Sequence, residues 1–293
     1  MLVDNAVIMA AGTSSRFAPL SYERHKGLTE VRGEVLIERQ IRQLQEAGVP
    51  EVYVVTGYKA EQFDYLPGKL GVRLLHNPSY LTRNNNSSIW VARDVLRNSY
   101  LCSADNYFTV NPFTAEADGA YYAAQYADGP TAEWCMTEDA DGYINSVTVG
   151  GRDAWYMLGH VFWDEAFTRG FLSILEREYD LPETAGKLWE TIYMAHLDEL
   201  KMRIRRYEPG VINEFDTLDD LREFDASYVT DSRSPLLAAV AAQLGVAEAE
   251  ISHVVPLKDA TAAAVGFAFA CGGRHFEYRY ATGRLTEAEP SLT

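Results

Sequence analysis

The N-terminal part of the chain alternates apolar strand-like runs with segments of helical spacing, and this alternation restricts the fold more than any other feature. Residues 5–9, 52–56, 72–75 and 100–104 are predicted to be strands, and residues 36–47 have the apolar spacing of a helix. Strands that alternate with helices favour a parallel sheet covered on both faces. The sequence therefore predicts an α/β fold, Rossmann-like and doubly wound, that binds its ligands at the carboxyl ends of a mostly parallel sheet.

After Gly119 the pattern changes to that of hairpins and isolated helices. The predicted strands lie at residues 120–126, 135–137, 144–149, 155–163 and 202–207, and the predicted helices at residues 88–98, 164–179 and 187–200. Thr217 is predicted to begin a further helix. We expect one large domain over residues 1–230. Residues 231–293 start with a polar link, become rich in alanine, and are predicted to form a small α+β C-terminal appendage with strands at 265–270 and 276–280.

The composition argues against two classes of partner. The chain has 26 Lys and Arg against 42 Asp and Glu, a net charge of -16. Nucleic acids and anionic membranes need a basic surface, whereas an acidic protein suits a cationic substrate.

No apolar run approaches the roughly 20 residues that span a bilayer, and the start of the chain does not resemble a leader. Three cysteines without CxxC spacing indicate a reducing compartment, so we expect a cytoplasmic protein without membrane insertion. The oligomeric state stays open.

Small residues and two cations follow the first predicted strand. Small residues let backbone N–H groups approach phosphate oxygens. The candidates are Met9, Ala10, Ala11, Gly12, Thr13 and Ser14. Arg16 and Lys26 add the positive charge that a triphosphate needs. The alternative is an ordinary strand-to-helix turn with solvated cations. A dinucleotide fingerprint and a Walker loop do not fit, because positions 14 and 17 are not glycine and Gly68-Lys69 is followed by leucine.

This segment resembles the LAAGxGSRxxPLT...PKAL signature of sugar-phosphate and phosphocholine nucleotidyltransferases. Arg16 and Lys26 occupy the positions of the signature Arg and Lys. Three positions depart from the signature: Ser14 replaces the second glycine, His25 the proline and Gly27 the alanine. The departures leave the charged pair intact and bear on the rigidity of the loop.

Other segments resemble bacterial CTP:phosphocholine cytidylyltransferases, and the likeness extends over roughly residues 1–228. The matching positions are residues 31–37, 56–59, 61–66 and 71–74, Asn77, Tyr80, Asn84, Asn85 and Ser88, and residues 104–107, 133–134 and 214–216. The resemblance implies a nucleotidyltransferase domain over residues 1–230. It also implies the reaction of CTP with phosphocholine to give CDP-choline and pyrophosphate.

The resemblance further implies a Mg²⁺ site formed by Asp105 and Asp216. Mg²⁺ takes one or two protein carboxylates and binds substrate phosphates as well. Taken alone, each aspartate is more typical of a turn or a helix cap. With Arg16 and Lys26, the two aspartates are the catalytic residues that the resemblance implies.

Polar residues of one loop are the candidates for binding the cytosine. Asn84, Asn85 and Ser88 can meet its Watson–Crick edge, and Ala104 lies at the end of the fourth predicted strand. The alternative is an Asn-rich loop that ends in a helix cap. The choice of CTP therefore depends on the resemblance.

Aromatic and acidic residues occur together where a choline cation is expected to bind. A Trp face attracts a quaternary ammonium by about 0.5 to 2 kcal/mol, and carboxylates balance its charge. Glu133 and Trp134 are the favoured pair, because the family has Glu-Trp there. The further candidates are Trp189, Glu190, Tyr193 and Glu214. At helical spacing, Trp189 and Tyr193 are alternatively residues of a helix core.

Two other functions compete with phosphocholine transfer. The same chemistry fits 2-aminoethylphosphonate, phosphoethanolamine or a sugar 1-phosphate as acceptor, and a catalytically lapsed nucleotide-binding regulator is the alternative from another class. Retention of both cations and both aspartates argues against the regulator. The appendage has a faint likeness to the opening strands of a choline-kinase-like N-lobe, and a structural appendage is the favoured interpretation.

Overall fold

The structure is a computed structural model that describes residues 1–260 and 263–289, and the chain forms two compact units. The first unit comprises Met1–Gly12 and Leu36–Glu214, and the second comprises Thr13–Val35 and Phe215–Thr293. The units thus group residues 13–35 with the C-terminal part of the chain. The domain boundary at residue 230 stays a prediction.

The first unit is built on a seven-stranded sheet with the strand order β10-β8-β9-β6-β1-β4-β5. The strands are β1 (Asn5–Ala10), β4 (Val52–Thr56), β5 (Arg73–His76), β6 (Ser99–Ser103), β8 (Tyr121–Glu138), β9 (Ile144–Trp163) and β10 (Arg203–Arg206). Strand β1 pairs in parallel with β4 and β6, β4 with β5, and β10 with β8, whereas β9 is antiparallel to both of its neighbours. The mostly parallel, doubly wound α/β sheet is therefore confirmed.

Five helices and a small second sheet complete the first unit. The helices are α2 (Leu36–Glu46), α3 (Leu66–Leu70), α4 (Asn86–Ala92), α5 (Glu165–Glu178) and α6 (Trp189–Ala195). Strands β7 (Asn106–Phe108) and β11 (Ile212–Glu214) pair antiparallel. Helix α4 spans Asn86–Ala92, so it begins and ends earlier than the predicted helix at residues 88–98. Helix α6 spans Trp189–Ala195 and is shorter than the predicted helix at residues 187–200. The predicted cap of α5 is confirmed, because the Asp164 side chain accepts the Phe167 N–H at 2.8 Å.

Strands β8 and β9 form one long hairpin where shorter strands were predicted. The predicted turn is present: the Gly142 N–H donates to the Asp139 carbonyl at 3.1 Å, and Gly142 has a φ of 79°. Register shifts near Pro130 and Trp134 interrupt the pairing without ending it. Bulges of this kind break the two-residue alternation, so a periodicity argument divides a continuous strand into pieces.

The second unit combines short helices with a four-stranded antiparallel sheet. Its helices are α1 (Leu20–Glu23), α7 (Leu218–Phe224), α8 (Ser227–Thr230) and α9 (Pro235–Leu244). Strands β2 (Glu30–Val31) and β3 (Glu34–Val35) pair with each other. The sheet has the order β12-β13-β14-β15, formed by Ile251–Lys258, Ala264–Cys271, Arg274–Arg279 and Arg284–Ala288. Phe267, Phe269 and Phe276 are its buried core. The predicted strands of the appendage are thus present within a larger sheet.

Among the described residues, no helix combines the length and the apolar character needed to cross a bilayer.

Candidate active site

The loop that follows β1 lies beside the carboxyl ends of β4 and β6. The Met9 carbonyl accepts the Ala104 N–H at 3.2 Å, and the Ala11 carbonyl accepts the Tyr58 N–H at 3.0 Å. A Cβ at Gly57 would lie 2.8 Å from the Ala11 carbonyl oxygen, so only glycine fits there. Ala10 and Ala11 are buried, and Gly12 is exposed. This edge is where a parallel sheet binds ligands, as predicted for the loop.

Two predicted site residues, Ala104 and Asp105, lie directly after the end of β6. Residues Ala104 and Asp105 form the turn that joins β6 to β7. Ala104 is buried, and Asp105 is partly buried. Their position at a strand end agrees with the sequence prediction. Their roles stay predictions.

The loop that precedes α4 anchors the start of α6. The Asn85 side chain accepts the Trp189 N–H at 2.6 Å and donates to Glu190 Oε2 at 3.0 Å. The Asn84 N–H donates to the Ala185 carbonyl at 2.8 Å. Ser88 is buried, and its hydroxyl accepts from Asn77 at 3.2 Å. Asn85 therefore has a structural role, whereas Asn84 is exposed. Base recognition by this loop stays a prediction.

Glu190 lies in an environment that favours its neutral form. Burial raises the pKa of Glu190 to about 7, although the hydrogen bonds from Asn85 and Tyr122 act in the opposite direction. The Tyr122 hydroxyl donates to Glu190 Oε1 at 3.5 Å. Within the described part of the chain, no Lys or Arg pairs with this carboxylate.

Two tyrosines that were not predicted as site residues, Tyr122 and Tyr156, have pKa values raised in part by nearby carboxylates. Burial raises the pKa of Tyr122, and the charges of Glu190 and Glu214 raise it further. Burial also raises the pKa of Tyr156, with further contributions from Glu133 and Glu214. We call Tyr122, Tyr156, Glu133, Glu190 and Glu214 the acidic tyrosine group. The effect of one charge on another falls with distance, so each tyrosine has the carboxylates that act on it in its neighbourhood.

Neither tyrosine belongs to a recognisable motif. Tyr122 and Tyr156 lie on β8 and β9, within runs where aromatic residues are common. Only the pairing of Tyr156 with Gln125 and Cys135 of β8 brings it toward Glu133. Trp134, the predicted partner of Glu133, is partly buried and packs against the core. Glu133, Glu190 and Glu214 thus each act on one or both of these tyrosines, and their role in binding the acceptor stays a prediction.

Trp189 and Tyr193 are core residues. Trp189 is 1% exposed and Tyr193 is 0% exposed. The Trp189 ring lies 5.1 Å from that of Trp163 at an interplanar angle of 74°, and its face stacks on Tyr122. The helix-core alternative therefore describes both residues, because neither ring presents a face to solvent. Trp189 contacts the acidic tyrosine group through its stacking on the Tyr122 ring.

The cationic candidates converge on one carboxylate of the second unit. Arg16 Nη1 lies 2.7 Å from Asp216 Oδ2, and Lys26 Nζ lies 3.4 Å from Asp216 Oδ1. The Lys26 side chain is 3% exposed, whereas that of Arg16 is 69% exposed. A buried ammonium needs a partner, and Asp216 is one of those present. Arg16, Lys26 and Asp216 are thus neighbours in the structure, and their catalytic roles stay predictions.

Local structure fixes these three side chains. Lys26 begins a short 3-10 helix whose first turn is capped by the His25 ring, which accepts the Gly27 N–H at 3.1 Å. Thr217 and Asp220 form a capping box at the start of α7. Thr217 is the cap, so Asp216 is not. This arrangement removes the helix-cap alternative for Asp216 and leaves its carboxylate to the cations.

Ser14 has a left-handed backbone conformation. Its φ is 47° and its ψ is 43°, a region that glycine adopts without cost and other residues rarely occupy. The Phe17 N–H donates to the Ser14 carbonyl at 2.9 Å and closes the turn that carries Arg16. The signature glycine is thus explained by backbone geometry. Serine at this position retains the geometry with some strain.

The predicted metal site has two protein carboxylates, those of Asp105 and Asp216. Among the described residues, no group of three or more His, Cys, Asp or Glu side chains could hold a metal. Mg²⁺ needs only one or two protein carboxylates, with water and phosphate oxygens as further ligands. Asp105 lies in the first unit and Asp216 in the second. Their joint coordination of one ion stays a prediction.

Comparison with known proteins identifies relatives over most of the chain. The model of the MobA-like NTP transferase domain matches residues 6–136. Choline-phosphate cytidylyltransferase of Streptococcus pneumoniae is 31% identical over 220 residues, 75% of this chain and 96% of that protein. 2-Aminoethylphosphonate cytidylyltransferase of Lancefieldella rimae is 33% identical over 234 residues, 78% of this chain and 95% of that protein.

One solved structure agrees with these relatives. The structure of CTP:phosphocholine cytidylyltransferase from Streptococcus pneumoniae superposes with a TM-score of 0.74 at 31% identity. The superposition covers 78% of this chain and 99% of that chain. About a fifth of the present chain lies outside it.

Proposed function

The chain belongs to the cytidylyltransferase family of nucleotidyltransferases, and from this premise we propose that it transfers the cytidylyl group of CTP to phosphocholine. The products are CDP-choline and pyrophosphate. We also place the activity in the cytoplasm, a proposal supported by three buried cysteines that form no disulfide.

The acidic tyrosine group is the observation that supports the choice of acceptor. A quaternary ammonium cannot donate a hydrogen bond, so it is held by aromatic faces and by negative charge. Glu133, Glu190 and Glu214 supply the charge, and Tyr122 and Tyr156 supply the aromatic rings. A bound cation would lower the pKa of Glu190 again and keep its carboxylate ionised.

The proposed chemistry is an in-line displacement at the α-phosphorus of CTP. A phosphate oxygen of phosphocholine forms the new P–O bond, and the bond to the departing pyrophosphate breaks. The attacking oxygen is anionic near pH 7, so the chain needs no general base. Catalysis then consists of positioning and charge stabilisation.

Arg16 and Lys26 would stabilise the charge of the triphosphate and of the departing pyrophosphate. Asp216 pairs with Arg16 at 2.7 Å and with Lys26 at 3.4 Å. Lys26 is buried, so its field is less screened by water than that of Arg16. We therefore assign the larger share of transition-state stabilisation to Lys26.

Asp105 and Asp216 would hold Mg²⁺ as hard oxygen donors. Mg²⁺, when bound, neutralises phosphate charge and orients the phosphoryl oxygens. The Asp216 carboxylate already pairs with Arg16 and Lys26, and its two oxygens allow it to contact more than one positive charge.

2-Aminoethylphosphonate is the second candidate acceptor. Its primary ammonium can donate hydrogen bonds, and three carboxylates in one group can accept them. The relative from Lancefieldella rimae, at 33% identity, bears the name of this acceptor. The tyrosine rings of the group favour phosphocholine, since a primary ammonium does not need them.

Pyrophosphate release tests the proposal. The full chain is assayed with CTP, UTP, ATP and GTP against phosphocholine, phosphoethanolamine, 2-aminoethylphosphonate and glucose 1-phosphate. We expect the highest kcat/KM with CTP and phosphocholine, and none without an acceptor. A higher kcat/KM with 2-aminoethylphosphonate would transfer the assignment to the second candidate. No release with any pair would refute transferase activity.

A further inference from the structure

The segment that carries Arg16 and Lys26 belongs to the same compact unit as the C-terminal appendage. That unit joins Thr13–Val35 to Phe215–Thr293. Strand β12 of the appendage lies next to the short 3-10 helix of Ser15–Phe17. The appendage is therefore packed directly on the predicted triphosphate-binding segment.

An aromatic stack connects α1 to the appendage. The rings of Tyr22 and Tyr280 are 3.7 Å apart between centroids, with an interplanar angle of 11°. Tyr22 lies between Arg16 and Lys26 in the sequence. The Tyr280 N–H donates to the Val265 carbonyl at 3.0 Å, and its ring lies 6.0 Å from that of Phe267. The stack thus ties the cationic segment to the buried core of the four-stranded sheet.

A second connection lies one residue further along. Glu23 Oε1 accepts the N–H of Leu236 at 2.9 Å, in the first turn of α9. A carboxylate at a helix start satisfies a free N–H group and interacts well with the helix dipole. Glu23 therefore holds α1 against the first helix of the appendage.

The appendage also holds the helix that follows Asp216. Arg222 of α7 donates to the carbonyls of Glu248, at 2.9 Å, and of Ile251. The His253 N–H donates to Asp219 of the same helix at 2.8 Å. The appendage thus contacts the helix that follows Asp216 as well as the segment that carries Arg16 and Lys26.

We propose that the C-terminal appendage positions Arg16, Lys26 and Asp216 for the triphosphate, with Tyr280 as its principal positioning residue. The proposal rests on the proposed function, because it assigns CTP binding to these cations. Contacts to both sides of the cluster leave the appendage well placed to fix the spacing between cations and carboxylate. The appendage then acts on CTP and not on the acceptor.

Tyr280→Ala tests the proposal in the full chain. We expect the KM for CTP to rise about five- to tenfold, with the KM for phosphocholine changed less than twofold, because a misplaced cation affects triphosphate contacts first. Tyr280→Phe preserves the stack and should restore the KM for CTP. Arg274→Ala is the matched control, since it removes an exposed ion pair to Glu287 and a cation–π contact with Phe276, both within the appendage and away from Tyr22.

Tyr22→Ala supplies an independent test of the stack. It should reproduce the effect of Tyr280→Ala, and the double variant should be no worse than either single one. An unchanged KM for CTP in both variants, while the wild-type chain turns over CTP, would overturn the positioning role. Equal changes in both KM values would overturn it too. An inactive wild-type chain would instead refute the proposed function.

Discussion

The two units of this protein hold their principal carboxylates in opposite ways. In the first unit, Glu190 accepts hydrogen bonds from Asn85 and Tyr122, and burial raises its pKa to about 7. In the second unit, Asp216 lies between Arg16 and Lys26. Among the described residues, Glu190 pairs with no Lys or Arg, whereas Asp216 pairs with two cations.

The difference shows how carboxylates can serve the binding of a cation in one place and of an anion in another. A carboxylate without a cation partner, buried beside tyrosines, attracts an organic cation and repels a phosphate. A carboxylate that pairs with arginine and lysine keeps those cations together until an anion competes for them.

Removal of the buried cation should have the largest effect. We expect Lys26→Ala to lower kcat/KM by about 10² to 10³, because a preorganised charge at a phosphoryl group contributes about 3 to 4 kcal/mol to the transition state. Steady-state pyrophosphate release measures the loss, and circular dichroism checks the fold. The exposed Lys201→Ala is the control. Near-normal activity of the Lys26 variant would remove the cation cluster from the mechanism.

Removal of the charge of Glu190 should change stability in a pH-dependent way. The folded carboxyl has a pKa of about 7, against an ordinary value of 4.5, so between pH 4.5 and pH 7 it retains a proton that the unfolded chain has released. The wild type therefore loses stability as pH rises from 4.5 to 7, and Glu190→Gln does not. We expect the variant to gain at most about 3 kcal/mol relative to wild type across this window.

Urea unfolding at pH 5 and pH 8 measures this difference in the free energy of unfolding. The exposed Glu165→Gln is the matched control, and its difference from wild type should be the same at both pH values. Parallel pH profiles of wild type and Glu190→Gln would show that Glu190 is already ionised in the folded chain.

Removal of the indole beside Glu133 should affect the acceptor alone. Trp134→Ala is expected to raise the KM for phosphocholine about three- to thirtyfold, the equivalent of one cation–π contact, with the KM for CTP unchanged within twofold. Trp155→Ala, on the partner strand, is the control, because its ring packs on Tyr126 at 5.3 Å. An unaltered KM for phosphocholine would exclude Trp134 from the acceptor site.

Relief of the strained backbone before Arg16 should have the smallest effect. Ser14→Gly is expected to stabilise the fold by roughly 0.5 to 1 kcal/mol, because glycine adopts the left-handed conformation without the Cβ penalty. Thr13→Gly is the control, because a glycine there relieves no positive φ and only adds freedom to the unfolded chain. Thermal unfolding compares the two, and equal or opposite shifts would contradict the strain argument.

Local pattern was enough to predict the mostly parallel sheet. Strands β1, β4 and β6 are short, apolar and buried, so their periodicity is clear. The long hairpin of β8 and β9 was divided into pieces, because bulges interrupt the alternation. Helix α6 was predicted too long, since apolar spacing continues past the point where its hydrogen bonds end.

The family and the loop with its two cations could be recognised from sequence, because they depend on residues close together or on a recognisable signature; phosphate binding by this loop stays a prediction. The tertiary structure was needed to show that Trp189 and Tyr193 are core, that Tyr122 and Tyr156 lie near glutamates, and that the appendage packs on the segment of Arg16. Periodicity specifies which face of an element is buried. It does not specify the distant element that buries it.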